Sequence, residues 1–136
     1  MGYKTQNKSN YMVKYHIIWC PKYRRRILLG DMRDRCEQII REALHEKRCS
    51  VEVIEIMPDH IHVLVNGRPD ESPHKIVKAM KGRTSNILRK EFPELLRMPT
   101  LWSRSYFLST VGNVSASIVK KYIEDQWQNF HKKKIK

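Results

Sequence analysis

The chain has 136 residues, a length that suits one domain over residues 1–136 and is short for two. Its 27 Lys and Arg residues outnumber 14 Asp and Glu residues, and the net charge of +13 favours a polyanionic partner, first of all a nucleic acid. No segment is apolar enough for a signal peptide or a membrane span and the three cysteines form no C-x-x-C pair, so we expect a soluble cytoplasmic protein without structural zinc or disulfides.

Residue periodicity and turn signals predict the order strand, helix, strand, strand, helix, strand, helix. These elements lie at residues 11–19, 31–47, 51–56, 60–65, 72–92, 105–111 and 114–130. The first six follow the split β-α-β pattern of ferredoxin-like folds. We therefore predict an α+β domain with an antiparallel sheet, helices on one face and an added C-terminal helix. In the usual arrangement the first and third strands form the central pair.

The third predicted strand carries two histidines. His60 and His62 alternate with the apolar residues Ile61 and Val63, so both imidazoles lie on one face of the strand. Positions two apart on a strand are separated by about 6.6 Å along its axis, and both rings can therefore reach one metal ion or phosphate. The alternative is a pair of half-buried polar residues with a structural role.

Two basic segments are predicted to contact nucleic acid. The loop at residues 22–26 interleaves a tyrosine with cations, which suits a backbone phosphate and a stacked base. On the second helix Lys78 and Arg89 point in nearly the same direction, with Lys81 close to them. A solvated turn and a solvated helix face are the alternatives. The predicted DNA-binding residues are Lys22, Tyr23, Arg24, Arg25, Lys78, Lys81 and Arg89.

Tyr122 and Gln126 form a second constellation, on the last predicted helix. Because they are four residues apart, they lie on one side of that helix, about 100° round from its apolar ridge. A tyrosine at such a position alone is more often a packing residue at the rim of the core. Its combination with the paired histidines makes the spacing specific.

These side chains suit cleavage of a phosphodiester. The substrate's own charge repels nucleophiles, so a site needs a cation on the non-bridging oxygens and a positioned nucleophile. His60, His62 and the side-chain oxygen of Gln126 would leave about three positions of an octahedral Mg²⁺ or Mn²⁺ ion open for phosphate and water. Tyr122 would then attack the phosphate, and the covalent bond would conserve the energy needed for rejoining.

Several motifs spread over nearly the whole chain occur together. They are Tyr15-His16-Ile17-Ile18-Trp19-Cys20-Pro21-Lys22-Tyr23-Arg24, Met57-Pro58-Asp59-His60-Ile61-His62, Lys81-Gly82, Leu101-Trp102-Ser103, Thr110-Val111-Gly112, and Tyr122-Ile123 with Gln126. The combination resembles the single-tyrosine HUH transposases of the IS200-like insertion-sequence family. By this resemblance the two family histidines correspond to His60 and His62, the nucleophile to Tyr122, and the third metal ligand to Gln126.

The resemblance implies a metal-dependent enzyme that cuts single-stranded DNA at the ends of its own mobile element and rejoins the strands. It implies a 5′-phosphotyrosine bond with a free 3′-OH, and recognition of subterminal DNA hairpins. It also implies a homodimer in which the tyrosine helix of one subunit completes the histidine site of the other. One such tyrosine per chain is consistent with a dimer, because excising a segment requires two cuts.

Two other functions remain open from the sequence. A non-catalytic nucleic-acid-binding module would use the same sheet, with exposed aromatic residues such as Tyr15 and Trp19 as stacking platforms. A domesticated relative would perform the same chemistry on genomic repeats, and only the flanking DNA would distinguish it from a mobile element.

Overall fold

The computed structural model describes residues 13–110, 121 and 123–125. Its elements are β1 (Val13–Trp19), α1 (Gly30–Glu46), β2 (Ser50–Met57), β3 (His60–Gly67), α2 (Pro73–Glu91) and β4 (Phe107–Thr110). The order of these six elements confirms the predicted pattern, and α1 begins one residue before its predicted cap, Asp31. Residues 121 and 123–125 are helical and fall within the last predicted helix, whereas Tyr122 and Gln126 lie outside the described residues.

The four strands form one antiparallel sheet in the order β2-β3-β1-β4. As predicted, β3 and β1 are the central pair, and His62 lies opposite Ile18 of β1 and Glu55 of β2. Because β3 is hydrogen-bonded to a neighbour on each side, two ladders fix the backbone that carries the histidines.

The core lies on one face of this sheet. Ile61, Val63 and Val65 of β3 are fully buried in the cluster that also contains the inward sides of α1 and α2. His60 and His62 alternate with these residues and are half-buried on the other face. The period of the strand therefore separates an apolar face covered by the helices from the face that carries the two histidines, and the α+β class is confirmed.

The aromatic residues of β1 do not form stacking platforms. Trp19 is 0% exposed and Tyr15 is 8% exposed, because both belong to the core cluster that covers this central strand. The Trp19 ring meets Trp102 edge to face, with 5.8 Å between the ring centroids. The exposed platform that a simple binding module requires at these two positions is therefore absent.

Within the described ranges, none of the helices combines the length and the apolar character that a bilayer crossing requires. The longest of them, α2, is amphipathic: it buries Ile76, Val77 and Met80 against the sheet and exposes Lys78.

Candidate active site

His60 is held by a carboxylate that comes immediately before it in the chain. Asp59 occupies the tight turn between β2 and β3, and its Oδ1 atom lies 2.9 Å from Nδ1 of His60. When Nδ1 donates its proton to this carboxylate, the lone pair of the imidazole is on Nε2. Histidines that bind metals in proteins usually have such a carboxylate or carbonyl partner on the second nitrogen, so His60 is suited to a metal.

Asp59 is itself paired with a cation from the loop after β1. Its Oδ2 atom lies 2.8 Å from Nε of Arg24, and both side chains are well covered, with 13% and 14% of their surface exposed. Desolvation by burial acts to raise the pKa of Asp59, but the hydrogen bond with His60 and the charge of Arg24 lower it, and the pKa lies below its usual range. Asp59 is therefore a carboxylate at neutral pH.

His62 has partners on both neighbouring strands. Its Nδ1 lies 3.2 Å from Oε1 of Glu55 on β2, and its Nε2 lies 3.0 Å from Nδ1 of His16 on β1. The His16 and His62 rings are 19° from parallel. Desolvation and the neighbouring His62 lower the pKa of His16, which favours a neutral ring. The Nε2 lone pair of His62 is therefore available to a metal only if the His16 ring turns away.

The sequence prediction missed three members of this cluster: His16, Glu55 and Asp59. His16 has a signal that could have identified it, since β1 and β3 were predicted to be neighbours and each carries a histidine on the open face. The strand register provides the missing information, because His16 pairs with Leu64 and so lies diagonally beside His62. Glu55 likewise becomes visible only when β2 is aligned with β3.

The described residues alone do not complete a metal site. Within residues 13–110, 121 and 123–125, no group of three or more His, Cys, Asp or Glu side chains could hold a metal ion. His60 and His62 supply two of the donors that an octahedral ion needs. Gln126, the predicted third ligand, lies outside the described residues, as does the predicted nucleophile Tyr122.

The basic loop after β1 points its side chains in two directions. Tyr23 is 41% exposed, and the charged ends of Lys22 and Arg25 lie 5.3 and 6.0 Å from the centre of its ring. This outer part has the ring and cations that single-stranded nucleic acid needs. Arg24 instead turns inward, and one of its terminal nitrogens donates a hydrogen bond to the backbone oxygen of Ile123, at 3.1 Å.

The predicted basic face of α2 is also divided. Lys78 is exposed, whereas the ammonium of Lys81 donates to the backbone oxygen of Ser103 at 2.9 Å. Arg89 reaches the oxygen of Pro99 at the longer distance of 3.4 Å. Lys78 is therefore the residue of this predicted set whose charge faces solvent most openly.

Comparison with known proteins gives consistent results. The family model described as "Transposase IS200 like" matches residues 9–126. The ISDra2 transposase TnpA of Deinococcus radiodurans is 35% identical over 119 residues, covering 85% of each chain. The transposase for insertion sequence element IS200 of Salmonella typhimurium is 32% identical over 126 residues, covering 90% of this chain and 82% of the relative.

Two solved structures are similar in fold. A putative transposase from Deinococcus radiodurans superposes with a TM-score of 0.80 at 30% identity, covering 93% of this chain and 95% of the other. A REP-associated tyrosine transposase bound to a REP hairpin superposes with a TM-score of 0.58 at 11% identity, covering 85% of this chain and 69% of the other. At that identity the second likeness concerns the fold alone.

Proposed function

The chain belongs to the IS200-like transposase family, and we propose that it cleaves and rejoins single-stranded DNA through a covalent bond to Tyr122. One observation carries this proposal. A continuous line of contacts runs from the backbone oxygen of Ile123, through Arg24 and Asp59, to His60. Ile123 follows Tyr122 in the sequence, so the line connects the segment of the predicted nucleophile with the histidine face.

The histidine face fits a divalent cation. With the Nδ1 atoms of His60 and His62 donating to the carboxylates of Asp59 and Glu55, the Nε2 atom of His60 is a metal donor, and that of His62 becomes one when the His16 ring turns away. We propose that these two atoms and the side-chain oxygen of Gln126 hold Mg²⁺ or Mn²⁺, ions compatible with mixed nitrogen and oxygen ligands. When bound, the cation would neutralise charge on the non-bridging oxygens of the scissile phosphate.

The proposed reaction is a reversible exchange of esters. The oxygen of Tyr122 attacks phosphorus and loses its proton to solvent, while the bond from phosphorus to the 3′-oxygen breaks and that oxygen takes up a proton. The products are a 5′-phosphotyrosine and a free 3′-OH. Rejoining is the reverse: a 3′-OH attacks the phosphotyrosine and Tyr122 regains its proton. The number of ester bonds is conserved, so no nucleotide cofactor is required.

The proposed DNA partner is a single strand with subterminal hairpins. The net charge of +13 supports a polyanionic partner, and the exposed Tyr23 with Lys22 and Arg25 suits unpaired bases. We further propose a homodimer with active sites shared between subunits, because one Tyr122 per chain must serve two cuts. In a shared site, the surface that meets Ile123 within this chain would receive the helix of the partner.

The test is adduct formation with DNA from both flanks of the gene. Each 3′-labelled single strand is incubated with protein and Mg²⁺, and covalent products are separated on a denaturing gel. Wild type should give a labelled protein band, and Tyr122→Phe should bind the strand with unchanged affinity but give no band. Tyr23→Phe is the matched control, since it removes a phenol hydroxyl at another position and retains the ring, and it should form the adduct.

An adduct of full yield from Tyr122→Phe would eliminate Tyr122 as the nucleophile. No adduct from wild type on any strand would instead support a DNA-binding protein without this chemistry. The boundaries of the cleaved strands would also show whether the gene lies between element ends or acts as a domesticated relative on genomic repeats.

A further inference from the structure

Arg24 connects two parts of the site that are far apart in the sequence, and it is itself 99 residues from Ile123. Its Nε lies against Asp59, the carboxylate that holds His60, and its terminal nitrogen donates to the backbone oxygen of Ile123. Only 14% of its side chain is exposed, although it lies in a run of basic residues. A largely covered guanidinium with two neighbouring oxygen atoms is positioned by the fold, whereas an arginine that binds phosphate from solvent is expected to be exposed.

The loop backbone is bent so that this arginine faces inward. Tyr23 and Arg24 both have left-handed backbone angles, with φ of 59° and 52°, a conformation that side-chain-bearing residues adopt at a cost. The loop is pinned on both sides of the bend: the amide of Lys22 donates to Leu101 at 2.8 Å, and that of Leu28 donates to Pro58 at 3.1 Å. The second bond ties the loop to the same tight turn that carries Asp59.

We propose that Arg24 is a positioning residue that docks the tyrosine helix, the segment around residues 121–125, beside Asp59 and His60. The contact is made here within one chain, and in a shared site the same arginine would receive the partner's segment. This inference rests on the proposed function for its consequence, although the docking itself does not. The planar guanidinium presents several donors in a fixed fork, so one side chain can bind Asp59 and a helix carbonyl at once. The orientation of the His60 ring and the position of the helix are thereby coupled through a single group.

This role explains why Arg24 differs from its neighbours. Arg25 and Arg26 are both exposed: Arg25 lies beside the Tyr23 ring, and replacing Arg26 removes a surface charge. Replacing Arg24 removes the cation beside the Asp59 carboxylate and the side-chain hydrogen bond to the Ile123 carbonyl. A lysine at position 24 would restore the charge beside Asp59, but it lacks the second arm of the fork, so it should restore docking only in part.

Docking can be measured in the full-length protein without metal or DNA. Lys121 is exposed, and a nitroxide attached through Lys121→Cys would report how tightly the segment is held. The native thiols should not compete, because Cys20, Cys36 and Cys49 are buried. Burial also raises the pKa of Cys20 to about 11 and that of Cys36 to about 12, so few of these thiols are reactive thiolates.

The expected result is a shift from an immobilised to a mobile electron paramagnetic resonance spectrum. Arg24→Ala should reduce the ratio of immobilised to mobile label about tenfold or more, as expected for loss of a charge-assisted hydrogen bond. Arg24→Lys should give an intermediate ratio. Arg26→Ala removes the same charge two positions away and should leave the spectrum unchanged. Urea midpoints for each variant show whether the domain is folded.

A second readout connects docking to chemistry. With saturating DNA, Arg24→Ala should form the Tyr122 adduct about tenfold more slowly while its DNA dissociation constant stays within about twofold of wild type. An unchanged nitroxide spectrum in folded Arg24→Ala, or a loosened spectrum with an unchanged adduct rate, would overturn the inference. Absence of adduct from wild type would refute the proposed function instead, and the spectra would still decide the docking role.

Discussion

Lys81 allows a test of whether a lysine that the sequence predicts to contact DNA instead stabilises the fold. It is predicted from the sequence to contact DNA, but its ammonium is directed at the segment that leads into β4. It lies 2.9 Å from the oxygen of Ser103, and the oxygens of Arg104 and Ser105 are more distant, at 3.4 and 3.5 Å. The same group lies 5.5 Å from the centre of the Tyr106 ring. Desolvation by burial lowers its pKa.

We expect Lys81→Met to destabilise the domain. The change retains the apolar stem and removes one short charge-assisted hydrogen bond together with two long ones, a loss of about 1–2 kcal/mol after allowance for the solvent that still reaches the group. With a denaturant slope of about 2 kcal/mol per molar urea, the midpoint should fall by roughly 0.5–1 M. Equilibrium urea unfolding, followed by tryptophan fluorescence, measures this shift.

Lys78→Met is the matched control, since Lys78 lies three residues earlier on α2 and is exposed. Its urea midpoint should be unchanged. Its affinity for single-stranded DNA should fall, with the slope of log affinity against log salt reduced by about 0.7 if one phosphate contact is lost. If Lys81→Met left the midpoint unchanged and weakened DNA binding as Lys78→Met does, the structural role of Lys81 would be wrong and the sequence prediction right.

Two further predictions concern the metal and the assembly. EDTA should abolish adduct formation by wild type, and undiminished cleavage in EDTA would show that no metal is used. The double variant His60→Ala with His62→Ala should lose both cleavage and Mn²⁺ binding, the latter measured by calorimetry. Its free energy of unfolding in urea should fall by no more than about 1 kcal/mol, because neither ring belongs to the core cluster. A heterodimer of a Tyr122→Phe subunit with a subunit lacking both His60 and His62 should be active if sites are shared between subunits. A heterodimer of wild type with a subunit that carries both defects should be active only if each subunit uses its own helix.

The sheet and the histidine face were predictable because their signals are local. Alternation along β3 has a period of two, and the turn at Met57-Pro58-Asp59 fixes its start, so the division between core and open face follows from the strand itself. The order of elements then selected the central pair. Tyr15 and Trp19 were assigned wrongly to an exposed surface in the binding-module alternative, because composition does not show which face of a central strand the helices cover.

The partners of the histidines and of the basic residues were not predictable in the same way. Arg24 lies in a run of basic residues, which predicts a solvent-exposed side chain. Its inward direction depends on left-handed backbone angles at Tyr23 and Arg24. Neither residue is a glycine, so the sequence does not indicate this bend. Lys81 finds its carbonyls more than twenty residues away, and Glu55 and His16 approach His62 only through strand register. Such contacts depend on the tertiary structure, so local patterns in a single sequence do not predict them.

The two halves of the proposed site differ in how they are attached. The histidine strand is bound along its length by β1 and β2 and is anchored beneath by Ile61 and Val63, so its position is set by the domain itself. Residue 123, by contrast, is joined to the histidine site by a hydrogen bond between side chain and backbone, from Arg24. Cleavage and rejoining of two strands require a fixed place for the phosphate and a nucleophile that can carry one strand to another. A histidine strand fixed by two ladders, with a helical segment joined to it through Arg24, would meet both requirements, since exchange of that segment between sites would break the Arg24 hydrogen bond and leave the ladders of β3 intact.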